Sequence, residues 1–337
     1  MISSFGTIGG QPVHTVTIQS TDLRAEIVTH GARLAALWAP DAQGALADIV
    51  LGFDSLPDLI ANGRYFGATC GRYANRIAAG RLVIDGHVYQ LDRNEGDTHL
   101  HGGRDGFDTK IWAVAAVTDH AVTLTAQSKD GEMGYPGHCQ MTVTYRLDGP
   151  NLFIEMTAET DAPTVINMAN HAYFNLGGCG SGDVLGHRLR LGADHYTPLG
   201  PGNIPTGQIA PVDGTRYDFR ALRPIGGQPL DGQDGYDNNW CLRPAAEDLR
   251  FAAQVVDPAS DRQLRLWTDA PGIQVYTAGH LSDAVIGKGG RPLCPFAGLA
   301  LETQAFPNAP NTPGFPDTLL RPGDRYRHRM RFDLTPA

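Results

Sequence analysis

The chain has 337 residues, 42% hydrophobic and 19% charged, which supports a substantial folded core and excludes a disordered polymer. A net charge of −9 argues against nucleic acid or an anionic membrane surface as a partner. No run approaches the roughly 18 apolar residues that a membrane span requires. The five cysteines include no CxxC pair, so they read as reduced thiols and not as a disulfide framework.

The first residues, MISSFGTIGG, carry neither a basic start nor an apolar core, so no export signal is expected there and the expected location is cytoplasmic. SLPDLIANG predicts a short helix capped by Ser55. RLVIDGHVYQL, from Arg81 to Leu91, is two apolar runs about Asp85-Gly86, a strong hairpin signal. The pattern recurs about Asp119-His120 and about Asp148-Gly149-Pro150. Glycine-rich loops follow at Gly177 to Gly182, Gly200 to Gly207 and Gly226 to Gly235. Near the end, YRHRMRF puts Tyr326, His328, Met330 and Phe332 on one strand face and Arg325, Arg327, Arg329 and Arg331 on the other. In an acidic chain that arginine face reads as a solvated surface paired with neighbouring acids. Many short strands, scarce helical periodicity and no linker imply one large all-β domain over residues 1–337, an antiparallel β-sandwich or barrel.

Polar residues stand where this pattern does not require them. CGRYANRIAAG holds Asn75 and Arg76, and DTHLHGG holds His99 and His101, which would share one strand face. INMANHAYFNLGG holds His171, either a core histidine satisfied by Asn170 or Asn175 or a proton donor in a partly dry pocket. DGYDNNW places Asp237 in a glycine-rich loop. In LALETQAFPNAP, Glu302 follows Leu299, Ala300 and Leu301, a strand expected to be buried on both faces. A carboxylate there is costly unless it is paired or functional.

The HxH of His99 and His101 invites a metal reading, but the carboxylate expected a few residues later is missing, and Asp105 is a poor substitute. No GxSxG elbow, Walker loop or GxGxxG after a strand is present. Polar side chains among aromatics on an all-β scaffold suit a sugar, whose hydroxyls need oriented hydrogen bonds and whose apolar face needs an aromatic wall.

Taken together, GRYANRI, THLHGG, DGEMGYPG, NHAYFNL, GYDNNW, PGIQVYTAG, LETQAFPNAPN and FPDTLLRPGDRY resemble the aldose 1-epimerase (galactose mutarotase) family, in family order from Gly71 to the C-terminus. The resemblance implies a large antiparallel β-sandwich of the galactose mutarotase-like supersandwich type, with few short helices and a groove along one sheet. It implies interconversion of the α and β anomers of free aldoses such as glucose, galactose or xylose, without metal or organic cofactor, by a monomer or homodimer. By the same resemblance Glu302 is the base, His171 the acid, and Asn75, Arg76, His101, Asp237 and Gln274 hold the sugar. A histidine near its ordinary pKa of about 6.5 would sit protonated beside the carboxylate and donate at neutral pH. The chain departs from the family where DHN becomes Asp237-Asn238-Asn239 and where YTGN becomes Tyr276-Thr277-Ala278-Gly279-His280. The alternatives are a sugar-binding protein without chemistry, or an epimerase of phosphorylated hexoses. The latter needs several basic residues, for which only Arg76 and, more weakly, Arg72 stand in place.

Overall fold

A computed structural model describes residues 1–63, 65–227, 235–244 and 248–336. Each expected hairpin forms. Arg81–Ile84 pairs with His87–Gln90 across Asp85 and Gly86, whose φ angles of 50° and 82° are both left-handed, as a type I′ turn demands. Ala113–Val117 pairs with Ala121–Ser128, and Cys139–Asp148 with Asn151–Thr160. The helix is Leu56–Asn62, with the Ser55 hydroxyl accepting from the Asp58 amide as its cap. Residues 228–234, most of the third glycine-rich loop, lie outside the described residues.

The two larger hairpins begin a nine-stranded antiparallel sheet. Tyr326–Asp333 lies beside Asn151–Thr160, and Gln263–Thr268, Arg250–Val256, Arg188–Leu191 and Arg223–Pro224 complete it. On its outer face Arg325 lies 3.8 Å from Glu159, Arg327 3.7 Å from Glu155 and Arg329 2.9 Å from Asp269, while Arg331 covers the Trp267 ring. The arginine stripe is thus the paired strand surface that its alternation implied.

A six-stranded sheet runs in the order Tyr173–Phe174, Leu299–Gln304, Gly272–Tyr276, Asp237–Leu242, Ala193–Thr197, Ala210–Pro211. A five-stranded sheet of residues 2–48 lies at the N-terminal end. Val143, Ile154, Leu266 and Phe332 of the nine-stranded sheet, Ile273, Val275, Leu299 and Leu301 of the six-stranded sheet, and Ile18, Ile27 and Leu37 of the third share one buried cluster. The architecture is therefore a large antiparallel β-sandwich, and its core claims one face of the six-stranded sheet. The opposite face carries the site.

Candidate active site

Leu299–Gln304 is buried along its whole length. Alternation sends Leu299 and Leu301 into the main core and leaves Ala300, Glu302 and Gln304 on the other face. Register carries that face across the sheet. Glu302 stands opposite Gln274 and Gln274 opposite Asn239; two residues along, Ala300 stands opposite Tyr276 and Tyr276 opposite Asp237. Asp237 is accordingly the first residue of a strand and not a loop residue, as the glycines before it had suggested. Strand pairing outweighs that glycine signal.

His171 lies between the short strands Ala169–Asn170 and Tyr173–Phe174. Its amide donates to the Ala68 carbonyl at 2.8 Å, and its carbonyl accepts from the Gly67 amide at 3.0 Å. The side chain points at Glu302, with Nε2 at 3.5 Å from Oε1 and side-chain exposures of only 4% and 2%. Neither Asn170 nor Asn175 satisfies the ring: Asn170 bonds to Tyr145 and Gly67, and Asn175 to Ala297 and Gly182. His171 Nδ1 and Glu302 Oε2 have no hydrogen-bond partner among the described residues. Aromatic rings surround the histidine, with Tyr173 at 4.9 Å, His101 at 5.3 Å and Tyr65 stacked at 5.8 Å.

The remaining expected residues converge on the same place. Asn75 and His101 both have left-handed φ, 66° and 51°. They clamp each other: the His101 amide donates to the Asn75 carbonyl, and the Asn75 amide donates to His101 Nδ1, both at 3.1 Å. Gly102 must be glycine, because a Cβ there would meet the Gly71 carbonyl oxygen at 1.8 Å. Arg76 makes a two-pronged bond to Glu95, at 2.7 and 2.8 Å, and its Nη1 lies 3.6 Å from Asp237. Gln274 Nε2 donates to Asp237 Oδ1 at 2.6 Å.

The HxH does not act as a pair. The strand ends at Leu100, and the left-handed turn at His101 breaks the alternation that would have put both rings on one face. His99 bonds instead to the Tyr135 hydroxyl and the Asp92 carbonyl. Arg72 is likewise structural. Buried, it spends its guanidinium on the carbonyls of Pro136 and Gly137 and the hydroxyls of Ser128 and Thr164. Glu95, Tyr65, Tyr173 and Tyr276 escaped sequence reasoning. Tyr173 and Tyr276 sit inside quoted motifs, but nothing local marks Tyr65 or Glu95.

Burial dominates the electrostatics. It holds the His171 imidazole down at about 4 and pushes the Glu302 carboxyl well above its usual range, the Asp237 charge adding to the rise and Arg76 opposing it. Desolvation, reinforced by the His280 and Arg33 charges, runs against the expectation of a histidine protonated at rest. Burial also opposes the Arg76 charge, but Glu95 and Asp237 overcome it and raise its pKa. The pair is a buried acid and a buried base at contact distance, able to hold one proton between them.

Such a face suits a small polyhydroxylated molecule and two proton transfers, which defines the class as a carbohydrate-converting enzyme on a β-sandwich scaffold. Residues 14–333 match the family model for aldose 1-epimerase. The chain is 41% identical to the galactose mutarotase of Rattus norvegicus, over 98% of this chain and 96% of that protein. It is 36% identical to the aldose 1-epimerase of Escherichia coli K12, over 94% of each chain. An aldose epimerase homologue from C. elegans superimposes with a TM-score of 0.90 at 31% identity, over 96% of this chain and 99% of that one. The chain belongs to the aldose 1-epimerase family.

Proposed function

We propose that the protein is a mutarotase, an isomerase of free aldoses in which Glu302 and His171 exchange protons with the sugar. The observation that carries this is the buried Nε2–Oε1 approach of 3.5 Å on a sheet face that also carries the polar side chains of Gln274 and Asp237. Glu302 removes the C1 hydroxyl proton as His171 protonates the ring oxygen and the C1–O5 bond breaks. The open aldehyde turns about C1–C2. Closure on the other face returns both protons, so no net proton, electron or water is consumed. The reactive form is the pair carrying one proton in the arrangement with Glu302 ionised and His171 protonated, which burial makes the less populated of the two. Each transfer supplies about 10²–10⁴-fold.

The printed names of the relatives, galactose mutarotase and aldose 1-epimerase, support a neutral aldose as substrate. A phosphorylated hexose is disfavoured because Arg72 is occupied and Arg76 is committed to Glu95 and Asp237. A binding module without chemistry has no use for a buried acid–base pair. Five free cysteines favour a reducing compartment. No described helix is long and apolar enough to cross a membrane. The direct test is polarimetry of freshly dissolved α-galactose, α-glucose and α-xylose with and without the protein; identical decay curves would sink the proposal.

A second reading has one observation behind it. Donor atoms of His101, His171 and Glu302 lie within 4.8 Å of one another, a spacing open to a metal ion. In the acid–base reading His101 serves a sugar hydroxyl and prolonged chelation leaves the rate unchanged. Activity lost on chelation and restored by one divalent ion favours the metal instead.

A further inference from the structure

Beyond the acid–base pair, a cleft of about 560 Å³ opens along the sheet past Asp237 and Tyr276, with Tyr196, Tyr217, Asn203 and His280 among its walls. His280 is held there by Tyr276. Its Nδ1 is hydrogen-bonded to the Tyr276 hydroxyl, and the two rings stack at 5.5 Å with 14° between their planes. The other nitrogen, Nε2, has no hydrogen-bond partner among the described residues. Asp237, directly opposite Tyr276 in the sheet, completes the corner with a carboxylate that Gln274 and Arg76 orient.

We propose that His280 is a specificity-determining residue that hydrogen-bonds a sugar hydroxyl remote from C1, an assignment that rests on Glu302 and His171 marking where C1 and the ring oxygen sit. The chemistry favours a hydroxyl whichever tautomer is present. If Tyr276 donates to Nδ1, then Nε2 carries the proton and donates; if Nδ1 donates to Tyr276, Nε2 accepts. A hydroxyl answers both and can give its own proton to Asp237. The sheet supplies the spacing. The Asp237–Tyr276 pair lies two residues along the strands from the Gln274–Glu302 pair, roughly 7 Å at the usual rise. A ring with C1 at Glu302 therefore presents its far hydroxyls to this corner. A site that hydrogen-bonds a hydroxyl discriminates strongly against a sugar that lacks or misplaces it.

The test measures kcat and KM for galactose, its C4 epimer glucose, and xylose, which lacks C6, with wild-type protein, His280→Ala, His280→Gln and Tyr276→Phe. His280→Ala is expected to lower kcat/KM for the preferred hexose about tenfold, chiefly through KM, and to narrow the spread among the three sugars. His280→Gln, which retains a donor and an acceptor, should restore part of that spread. Tyr276→Phe, which keeps the ring but releases Nδ1, should fall between. A uniform fall across the sugars, or no fall, overturns the proposal. Glu302→Gln in the same assays separates the two assignments, because near-normal kcat there removes the acid–base reading on which the position of C1 depends.

Discussion

Two strands of this molecule carry charge in opposite ways. Tyr326–Asp333 sets its arginines on the outer face of the nine-stranded sheet, where Arg327 and Glu155 are about half exposed and 3.7 Å apart. Leu299–Gln304 sets Glu302 inside, 2% exposed, with one oxygen facing His171 and the other without a partner. Water screens the first kind of charge, and its removal is nearly neutral. The second kind is desolvated, shifted in pKa and expensive, and a fold retains it where chemistry needs it. Exposure, more than charge, separates surface from site.

Substitution at Glu302 should break the inner strand's function most severely. Glu302→Gln preserves shape but removes the proposed base, so kcat is expected to fall about 10²–10⁴-fold with KM changed far less. Near-normal kcat would end the assignment. The same change should raise Tm at pH 8. Burial favours the protonated carboxyl, so its ionisation weakens the fold as pH rises above the ordinary carboxylate value. Below that value the gain should vanish.

Asp237→Ala comes next. It leaves the Gln274 amide and Arg76 without their shared carboxylate and, in the proposed reading, removes a partner for a sugar hydroxyl. KM is expected to rise about tenfold, the scale of one hydrogen bond to a charged group, with a smaller loss in kcat. A fall in kcat alone would mean that Asp237 belongs to the chemistry instead.

The pH dependence sharpens the contrast between buried and exposed groups. Activity should persist below the ordinary histidine value and fail only as the pH drops toward about 4, where His171 takes up a second proton. On the alkaline side it should fail as Glu302 loses the shared proton, at a value raised by burial. An acid limb of kcat/KM centred near 6.5 would show that His171 titrates as an exposed imidazole does.

The smallest effect belongs to the outer strand. Arg327→Gln should change stability by less than about 0.5 kcal/mol and leave kcat/KM intact, as judged by urea unfolding and polarimetry. A loss of several kcal/mol would erase the distinction between the two strands.

Much of the scaffold is written in local chemistry. The Asp85-Gly86 turn, the Ser55 cap and the alternation from Tyr326 to Phe332 each depend on neighbouring residues alone, and each forms as expected. Glu302 was conspicuous for the same reason, a carboxylate at the end of an apolar run. His171 was ambiguous, because nothing nearby reveals that Asn170 and Asn175 turn elsewhere. The HxH misled because strand alternation does not survive a left-handed residue at its second histidine.

By itself the sequence determined the hairpins, the dominance of β-structure, the paired arginine face and the residue types of the candidate site, because period-two patterning and turn chemistry are properties of a few adjacent residues. Tertiary structure alone decided which of those residues meet. Sheet register put Asp237, Gln274 and Glu302 on one face, and the short strand Tyr173–Phe174, paired with Ala300 and Leu299, brought His171 beside them. It also decided the protonation of the pair, since desolvation arises only when strands far apart in the chain close over a carboxylate and an imidazole and exclude water from both.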